Sequence, residues 1–300
     1  MQYFTIKDIE NLCGIKAHTL RIWELRYNFF KSKRKESTHR IYDNDDLKQL
    51  LRIAFLYHSG WKVSRISSLS TEQILEEVKK AETDSVNYNN YVTRLIEAAV
   101  DFNEAAFMHL LETMIATIGF EKCITEVCYP YLQRIGMLWV TNRVVPAQEH
   151  FSSYLIQNKV ISETDKLVGG NGLPDTIVFC PQGEFHELPL LFINYLLKKN
   201  GWQTIYLGSN IKKDVLQQFA NDDRIKFALL HLITNFTGAD ADIYFEDVCR
   251  LFKDKLVIAS GTIVHQVQRN FVNLKLLKSD KQIYEFIKSR SIEQDRDAKR

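Results

Sequence analysis

Cysteine is scarce in this sequence of 300 residues, and its distribution excludes two kinds of structure. The cysteines are odd in number, scattered, and never spaced as C-x-x-C. A disulfide framework or a structural zinc site would need patterned cysteines, so neither is expected, and a reducing compartment fits. The five cysteines are Cys13, Cys123, Cys128, Cys180 and Cys249.

Long apolar runs are also absent. No run approaches the roughly 18 residues that span a bilayer, and residues 1–5 lack the basic and apolar regions of a secretory signal. We therefore expect a cytoplasmic protein. The hydrophobic fraction of 45% and the charged fraction of 25% exclude disordered and collagen-like classes. The sequence contains no P-loop and no G-x-S-x-G motif.

Charge of both signs is present, but it is unevenly divided along the chain. Residues 1–80 carry 15 Lys and Arg against 10 Asp and Glu, a net charge of +5, whereas the whole chain has +2. The basic excess is concentrated at residues 31–40. This asymmetry indicates a polyanionic partner for the first domain.

The first 80 residues have the pattern of short helices around a turn. Apolar residues at every third position predict a helix over residues 5–12, which Thr5 would cap, and a second helix over 16–26 follows the break at Gly14. Two short helices around a glycine indicate a helix-turn-helix. The polar, β-prone stretch 31–42 predicts a two-stranded wing. Further helices are predicted from Asp43 to Leu56 and from about 63 to 69.

Two more domains are predicted beyond the first. Residues 86–168 have an almost wholly helical pattern, typical of a four-helix bundle, and glycines at 169–172 indicate a linker. Strands are then predicted at 176–180, 203–207, 227–233 and 256–259, and helices at 188–200, 213–220 and 241–251, with helical pieces to the end. This alternation indicates a Rossmann-like, doubly wound parallel sheet that binds ligands at the carboxyl ends of its strands. The sequence thus predicts a multidomain α and α/β protein with domains at 1–75, 86–168 and 174–292.

Three segments of the first domain, residues 5–9, 14–27 and 40–42, resemble the amino-terminal domain of MerR-family transcriptional regulators. The resemblance runs over roughly residues 3–70 and implies a winged helix-turn-helix that binds operator DNA. Cations near the start of the second helix suit base edges in the major groove, and cations in the wing suit phosphates. Leu20 and Trp23 are expected in the core. The expected DNA contacts are Lys16, His18, Thr19, Arg21, Arg26, Lys33, Arg34, Arg40 and Tyr42.

The rest of the chain resembles the cobalamin-binding module of MerR-type photoreceptor repressors, which joins a helical bundle to a Rossmann-like domain. The resemblance is strongest at Trp139 and Glu149-His150, with nine residues between the tryptophan and the glutamate. In that family these side chains lie over the upper face of the corrin and cap the adenosyl group. Without the family pattern, Trp139 is typical of a bundle core and Glu149-His150 of a helix surface.

The lower face of the corrin is represented by Glu184-Phe185-His186, after the first predicted strand. The resemblance implies that His186 coordinates cobalt and that Glu184 orients the imidazole. Gly261 matches the first of two glycines that follow the fourth strand in the family.

Four positions depart from the family. Pro189 replaces a glycine of the lower-face motif, His231 a serine after the third strand, and Thr262 the second glycine after the fourth strand. The family's small residues make room for the nucleotide tail of cobalamin, which side chains here would fill. Val140 replaces the histidine that traps cobalt after light removes the adenosyl group, so light switching by that route is not expected.

These features indicate a sequence-specific DNA-binding regulator, a repressor or an activator, that is a homo-oligomer because one helix-turn-helix reads only a half-site. A cobalamin-type sensor, with adenosylcobalamin as cofactor, would control its assembly and operator binding. The alternative is a cobalamin-independent MerR-like regulator whose later domains only oligomerise or bind another ligand. Cobalamin-dependent mutases and methyltransferases use a similar module, but the DNA-binding domain and the lack of a substrate barrel argue against an enzyme.

Overall fold

The computed structural model describes residues 4–27, 33–34, 40–80, 88–140, 146–167, 172–234 and 240–297. It divides into two compact units, Met1–Ile156 and Gln157–Arg300. The first unit holds the helix-turn-helix and most of the helical bundle, and the second holds the parallel sheet. The predicted linker glycines Gly169 and Gly170 lie outside the described residues.

The amino-terminal part of the first unit is a winged helix-turn-helix. A three-stranded antiparallel sheet of order β1-β3-β2 accompanies the helices. The elements are β1 (Phe4–Thr5), α1 (Ile6–Cys13), α2 (Ala17–Tyr27), β2 (Lys33–Arg34), β3 (Arg40–Tyr42), α3 (Asn44–His58), α4 (Val63–Ile66) and α5 (Thr71–Lys80). The two predicted helices and the wing strands are confirmed.

Local side chains determine where these helices begin and end. The carboxylate of Asp8 accepts hydrogen bonds from the backbone N–H and the hydroxyl of Thr5, both at 2.6 Å, at the start of α1. Asp43 and Asp46 form a reciprocal capping box at the start of α3, with distances of 2.9 and 3.0 Å. Gly14 ends α1 in the left-handed conformation, with φ at +71°. The turn between α1 and α2 therefore depends on this glycine.

Among the described residues the bundle has four long helices, which are α6 (Tyr88–Val100), α7 (Glu104–Ile118), α9 (Tyr129–Val140) and α10 (Pro146–Asp165). The short helix α8 (Phe120–Cys123) and a π-helical turn (Ile124–Cys128) connect α7 to α9. The core of the bundle includes Leu95, Ile96 and Leu111, each at most 1% exposed, and the rings of Phe107 and Tyr131, whose centroids lie 5.5 Å apart. The four-helix prediction is confirmed.

The second unit is a doubly wound α/β fold. Its five strands are all parallel, in the order β5-β4-β6-β7-β8. The elements are β4 (Thr176–Pro181), α11 (Glu187–Lys199), β5 (Thr204–Ile211), α12 (Lys213–Ala220), β6 (Phe227–His231), α13 (Ala241–Leu251), β7 (Leu256–Ser260), a 3-10 turn (Thr262–Gln266), β8 (Leu274–Leu277) and α14 (Asp280–Asp297). The Rossmann-like prediction is confirmed, except that β8 stands where only helical pieces were expected.

The strand order places a ligand site. From β4 the chain first moves to β5 on one side and then returns to β6 on the other. The order in which the chain adds strands therefore reverses between β4 and β6. Ligands of such sheets bind at this point, outside the carboxyl ends of the strands. The loops that leave β4 and β6 begin there, and they carry Glu184, His186 and Thr234.

Candidate DNA-binding surface and candidate ligand site

Helix α2 presents a basic surface. Lys16 precedes it, and Lys16, His18, Arg21 and Arg26 are exposed, while Thr19 is half-buried. On the opposite side, Leu20 and Trp23 are 1% and 5% exposed, so their assignment to the core is confirmed. In a helix-turn-helix the residues at the start of the second helix contact base edges, so this exposed surface is the candidate for the major groove.

A carboxylate on α1 positions the start of α2. Glu10 accepts a hydrogen bond from the backbone N–H of Ala17 at 3.1 Å, and this bond is the main reason that the pKa of Glu10 is lowered. Its other oxygen lies 3.2 Å from the ammonium of Lys16. The lysine side chain is 75% exposed, and exposed ion pairs of this kind are weak, so the contact with Glu10 does little to hold Lys16 in place.

One expected DNA contact is wrong. Tyr42 is 1% exposed and lies at the end of β3, opposite Phe4 of β1, so it is a core residue of the small sheet. The expectation failed because a tyrosine beside basic wing residues has the same sequence signature whether its ring lies inside or outside.

The wing cations stay predictions. The backbones of Lys33, Arg34 and Arg40 lie in β2 and β3, and Arg34 and Arg40 are opposite each other in the antiparallel ladder. Their side chains lie outside the described part of the structure, as does the tip of the wing at 35–39.

The helix-turn-helix packs on the bundle through polar contacts. Arg52 of α3 forms a salt bridge with Glu97 of α6, with both side chains largely buried. The amide of Asn90 on α6 donates to the hydroxyl of Ser59 at 2.8 Å. Lys48 of α3 lies 2.7 Å from the carboxylate of Asp101, just beyond α6. Within the first unit, salt bridges and a hydrogen bond therefore join the DNA-binding part to the bundle.

Glu184 and His186 meet at the carboxyl end of β4. The imidazole Nδ1 of His186 lies 2.7 Å from Oε1 of Glu184, and the His186 backbone N–H donates to the same oxygen at 2.9 Å. Glu184 is 1% exposed, whereas the His186 side chain is 48% exposed. The structure thus brings together the two residues expected at the lower face.

The second oxygen of Glu184 is bound by the loop after β6. Its Oε2 accepts from the backbone N–H groups of Ile233 and Thr234, both at 2.8 Å, and from the Thr234 hydroxyl at 3.1 Å. Sequence reasoning missed both partners, because they lie about fifty residues away in the chain. The only signal was the strand order, which brings the loops after β4 and β6 together.

These contacts decide the charge of Glu184. Burial alone would raise its pKa, but the hydrogen bonds from His186, Thr234 and Ile233 lower the pKa to about 2. Glu184 is therefore ionised at neutral pH and can only accept hydrogen bonds. His186 Nδ1 must then be the donor, and when the imidazole is neutral its Nε2 has a lone pair that could bind a metal.

The departures from the family occupy the same edge. His231 is 7% exposed, and its Nδ1 lies 2.9 Å from the hydroxyl of Ser260, its partner in the β6–β7 ladder. Burial lowers the pKa of His231 to about 4. The hydroxyl of Thr262 donates to the carbonyl of Ile233, which ties the loop after β7 to the loop after β6. Both side chains are therefore hydrogen-bonded into the edge where the family has small residues.

The structure explains why proline is tolerated at position 189 and why glycine is needed at position 261. Pro189 lies in the first turn of α11, where a missing N–H breaks no helical hydrogen bond. Gly261 has φ at +101°, and a Cβ there would lie 2.0 Å from the carbonyl oxygen of Leu232. Only glycine fits at this position.

The pair expected at the upper face is held more loosely. Glu149 and His150 lie in the first turns of α10, with their carboxylate oxygen and Nδ1 3.6 Å apart. Their side chains are 32% and 65% exposed. Trp139 and Val140 end α9, and their side chains lie outside the described part of the structure.

The observed residues fit a corrinoid at one point and leave less room at another. The imidazole of His186 is oriented by an ionised carboxylate and half-exposed at the carboxyl edge of the sheet, and in its neutral form it would be a suitable ligand for cobalt. The positions that hold small residues in the family carry His231 and Thr262 here.

Within the described ranges, no group of three His, Cys, Asp or Glu side chains could hold a metal ion by itself. Of the described helices, none is both long and apolar enough to cross a membrane.

Comparison with known proteins agrees with this geometry. Residues 4–73 match the MerR HTH family regulatory proteins, and residues 91–161 match the B12 binding domain family. The chain is 28% identical over 215 residues to the HTH-type transcriptional repressor CarA of Myxococcus xanthus, a match that covers 71% of this chain and 70% of CarA. It is 22% identical over 260 residues to the HTH-type transcriptional repressor CarH of Myxococcus xanthus, covering 84% of this chain and 85% of CarH.

The chain is therefore similar to CarA and CarH over most of its length. It combines a MerR-type helix-turn-helix with a B12-binding helical domain, so both resemblances seen in the sequence are confirmed. Among solved structures it is similar to the monomethylamine corrinoid protein of Methanosarcina barkeri, with a TM-score of 0.48 and 14% identity, covering 68% of this chain and 100% of that chain.

Proposed function

We propose that this protein is a sequence-specific transcriptional regulator, not an enzyme, whose B12-binding module senses a corrinoid and thereby controls operator binding. The observation that carries the proposal is the Glu184–His186 pair, a prepared metal ligand in the same chain as a MerR-type DNA-binding domain. The two similar proteins CarA and CarH are both named as repressors, which supports repression as the outcome.

His186 is the residue that would hold the corrinoid. Glu184 fixes the imidazole through Nδ1, so Nε2 faces away from the carboxylate and can bind cobalt. Adenosylcobalamin, when bound, would supply the cobalt centre. From the resemblance to the family we propose that Glu149, His150 and Trp139 contact the adenosyl group, and that Gly261 supports the loop after β7.

Control of DNA binding follows from the construction of the first unit. Arg52 and Glu97 join the DNA-binding part to α6 of the B12-binding helices, so a change in the bundle reaches the helix-turn-helix. A ligand that prefers one assembly must change operator affinity, and DNA must change ligand affinity by the same factor. We propose a dimer or tetramer as the assembly, because one helix-turn-helix contacts one half-site.

The test is the visible spectrum of the protein purified in the dark with adenosylcobalamin. We expect the wild type to retain about one corrinoid per chain and His186→Ala to retain less, with an altered spectrum. His109→Ala is the matched control, because His109 is an exposed histidine of α7. A wild type without corrinoid, or a spectrum that His186→Ala does not change, contradicts the sensor.

The second candidate is a cobalamin-independent regulator. The buried His231 and the Thr262–Ile233 hydrogen bond favour it, because they occupy the edge that a nucleotide tail would need. It predicts the same operator affinity with and without cobalamin in gel-shift titrations. A sensor predicts a difference that is abolished in His186→Ala.

A further inference from the structure

The recognition helix α2 exposes two large apolar side chains. Ile22 is 47% exposed and Leu25 is 78% exposed, although both lie in an 11-residue helix whose core face is already formed by Leu20 and Trp23. Isolated exposed aliphatic residues are common on protein surfaces. Here, however, the two are neighbours, three positions apart on one helix.

The two side chains lie within the basic face. His18, Ile22 and Leu25 are spaced four and three residues apart, so they share one side of α2, and Arg21 lies four residues before Leu25. His18 and Arg21 are exposed, as is Arg26 next to Leu25. The apolar pair therefore lies beside Arg21 and Arg26, on the surface that is expected to face DNA.

The charges around Ile22 and Leu25 favour DNA as the partner of this surface. A second copy of the chain is a poor partner, because a two-fold contact through this face would place Arg21 and Arg26 near their own copies. DNA satisfies the cations with phosphates and base acceptors. Within its major groove, the apolar group that a base edge offers is the C5-methyl of thymine.

We propose that Ile22 and Leu25 are specificity-determining residues that pack against thymine methyl groups in the major groove. The proposal rests on the proposed function as a sequence-specific DNA-binding protein. It adds a statement about the operator: each half-site contains thymines opposite the middle of α2, beside the bases that Arg21 reads. Neither residue was among the DNA contacts expected from the sequence.

The experiment begins with DNA sequences that the full-length protein enriches from a random pool. Each thymine of the enriched site is then replaced by deoxyuridine, which removes the methyl group and keeps every hydrogen-bonding group. We expect about fourfold weaker binding by the wild type for each methyl group that is contacted. Thymines away from α2 serve as internal controls and should be neutral.

The variants Leu25→Ala and Ile22→Ala assign the effect to these side chains. We expect each to bind the thymine site less tightly and to lose the discrimination between thymine and uracil at its own position. Both side chains are exposed, so neither substitution should unfold the helix. Ile243→Ala, at a site 61% exposed on α13, is the control and should discriminate as the wild type does.

The outcomes separate the two proposals. If the protein enriches a site but every uracil substitution is neutral, thymine recognition is wrong, while sequence-specific DNA binding still stands. Thymine recognition is also wrong if Leu25→Ala and Ile22→Ala discriminate normally between thymine and uracil but change the oligomeric state. The two side chains would then belong to a protein interface. If no sequence is enriched, sequence-specific binding fails, and thymine recognition fails with it.

Discussion

Two glutamate–histidine pairs in this protein are held in very different ways. In the sheet pair, Glu184 and His186, the carboxylate is 1% exposed and accepts five hydrogen bonds from His186, Ile233 and Thr234. In the helix pair, Glu149 and His150, the groups are 3.6 Å apart and partly exposed on α10. The fold fixes the first pair and leaves the second free to adjust.

The difference indicates how the two pairs would act on a ligand. A metal ligand gains affinity when its orientation is fixed before binding, because the ordering cost is already met by the fold. The sheet pair has this property through contacts from two loops. The helix pair has side chains that can reorient around a bound group. We therefore expect substitutions near the sheet pair to affect folding, and substitutions in the helix pair to affect ligand retention alone.

The largest effect is expected for Gly261→Ala. The new Cβ would lie 2.0 Å from the carbonyl oxygen of Leu232, at a φ of +101°, so the loop after β6 must move. That loop supplies Ile233 and Thr234 to Glu184. We expect a loss of about 4 kcal/mol in the stability of the sheet unit. Hydrogen exchange of peptides from β6 and β7 measures it.

Gly60→Ala is the control for Gly261→Ala. Gly60 also has a positive φ, of +90°, but a Cβ there would meet no atom within 4 Å. Its cost should be only that of the backbone conformation, about 1 kcal/mol. Equal losses for the two variants would show that the close contact with Leu232 is not what makes Gly261 necessary.

The second prediction concerns His231, the other histidine of the sheet edge. Burial lowers its pKa from 6.5 to about 4, although the charge of Glu184 opposes this shift. Between pH 6.5 and 4, His231 binds a proton in the unfolded chain but not in the folded protein. The free energy of unfolding therefore falls as pH decreases from 6.5 to 4. The loss reaches about 3 kcal/mol at pH 4. Urea unfolding at several pH values measures it.

His231→Gln should remove this pH dependence, because glutamine does not titrate and can still hydrogen-bond to Ser260. The wild type and His265→Ala, which changes an exposed histidine, should keep it. If His231→Gln retains the same slope between pH 6.5 and 4, then His231 is not held neutral by the fold, and the edge is more open than the structure indicates.

Much of the fold could be predicted from the sequence, but the contacts of the sheet pair could not. Helices α12 and α13 begin and end at the predicted residues, because their apolar spacing is regular and polar residues precede both of them. Strand β8, with the sequence Leu-Lys-Leu-Leu, was missed because four residues with one buried side chain carry little pattern. Glu184 was predicted to orient His186 from a local motif. Its bonds to Thr234 depend on strand order, which no local pattern contains.

Glu184→Gln tests directly whether the sheet pair contributes more to stability than the helix pair. In Glu184→Gln, the amide NH₂ must face an N–H donor of either His186 or the loop after β6, so a buried donor loses its acceptor. We expect a loss of about 2 kcal/mol at pH 7. Because the pKa of Glu184 is lowered from 4.5 to about 2, its contribution is complete above pH 4.5 and is lost as pH falls from 4.5 to 2. Urea unfolding of the variant should lack this acidic loss.

The smallest effect on stability is expected for Glu149→Gln, which makes the same chemical change in the helix pair. Its partner is 3.6 Å away and 65% exposed, so the free energy of unfolding should change by less than about 0.5 kcal/mol. Retention of adenosylcobalamin should nevertheless fall, which dark purification and the visible spectrum measure. A stability loss as large as that of Glu184→Gln would mean that both pairs are structural. Unchanged retention would remove the helix pair from the ligand site and leave His186 as the side chain on which corrinoid binding depends.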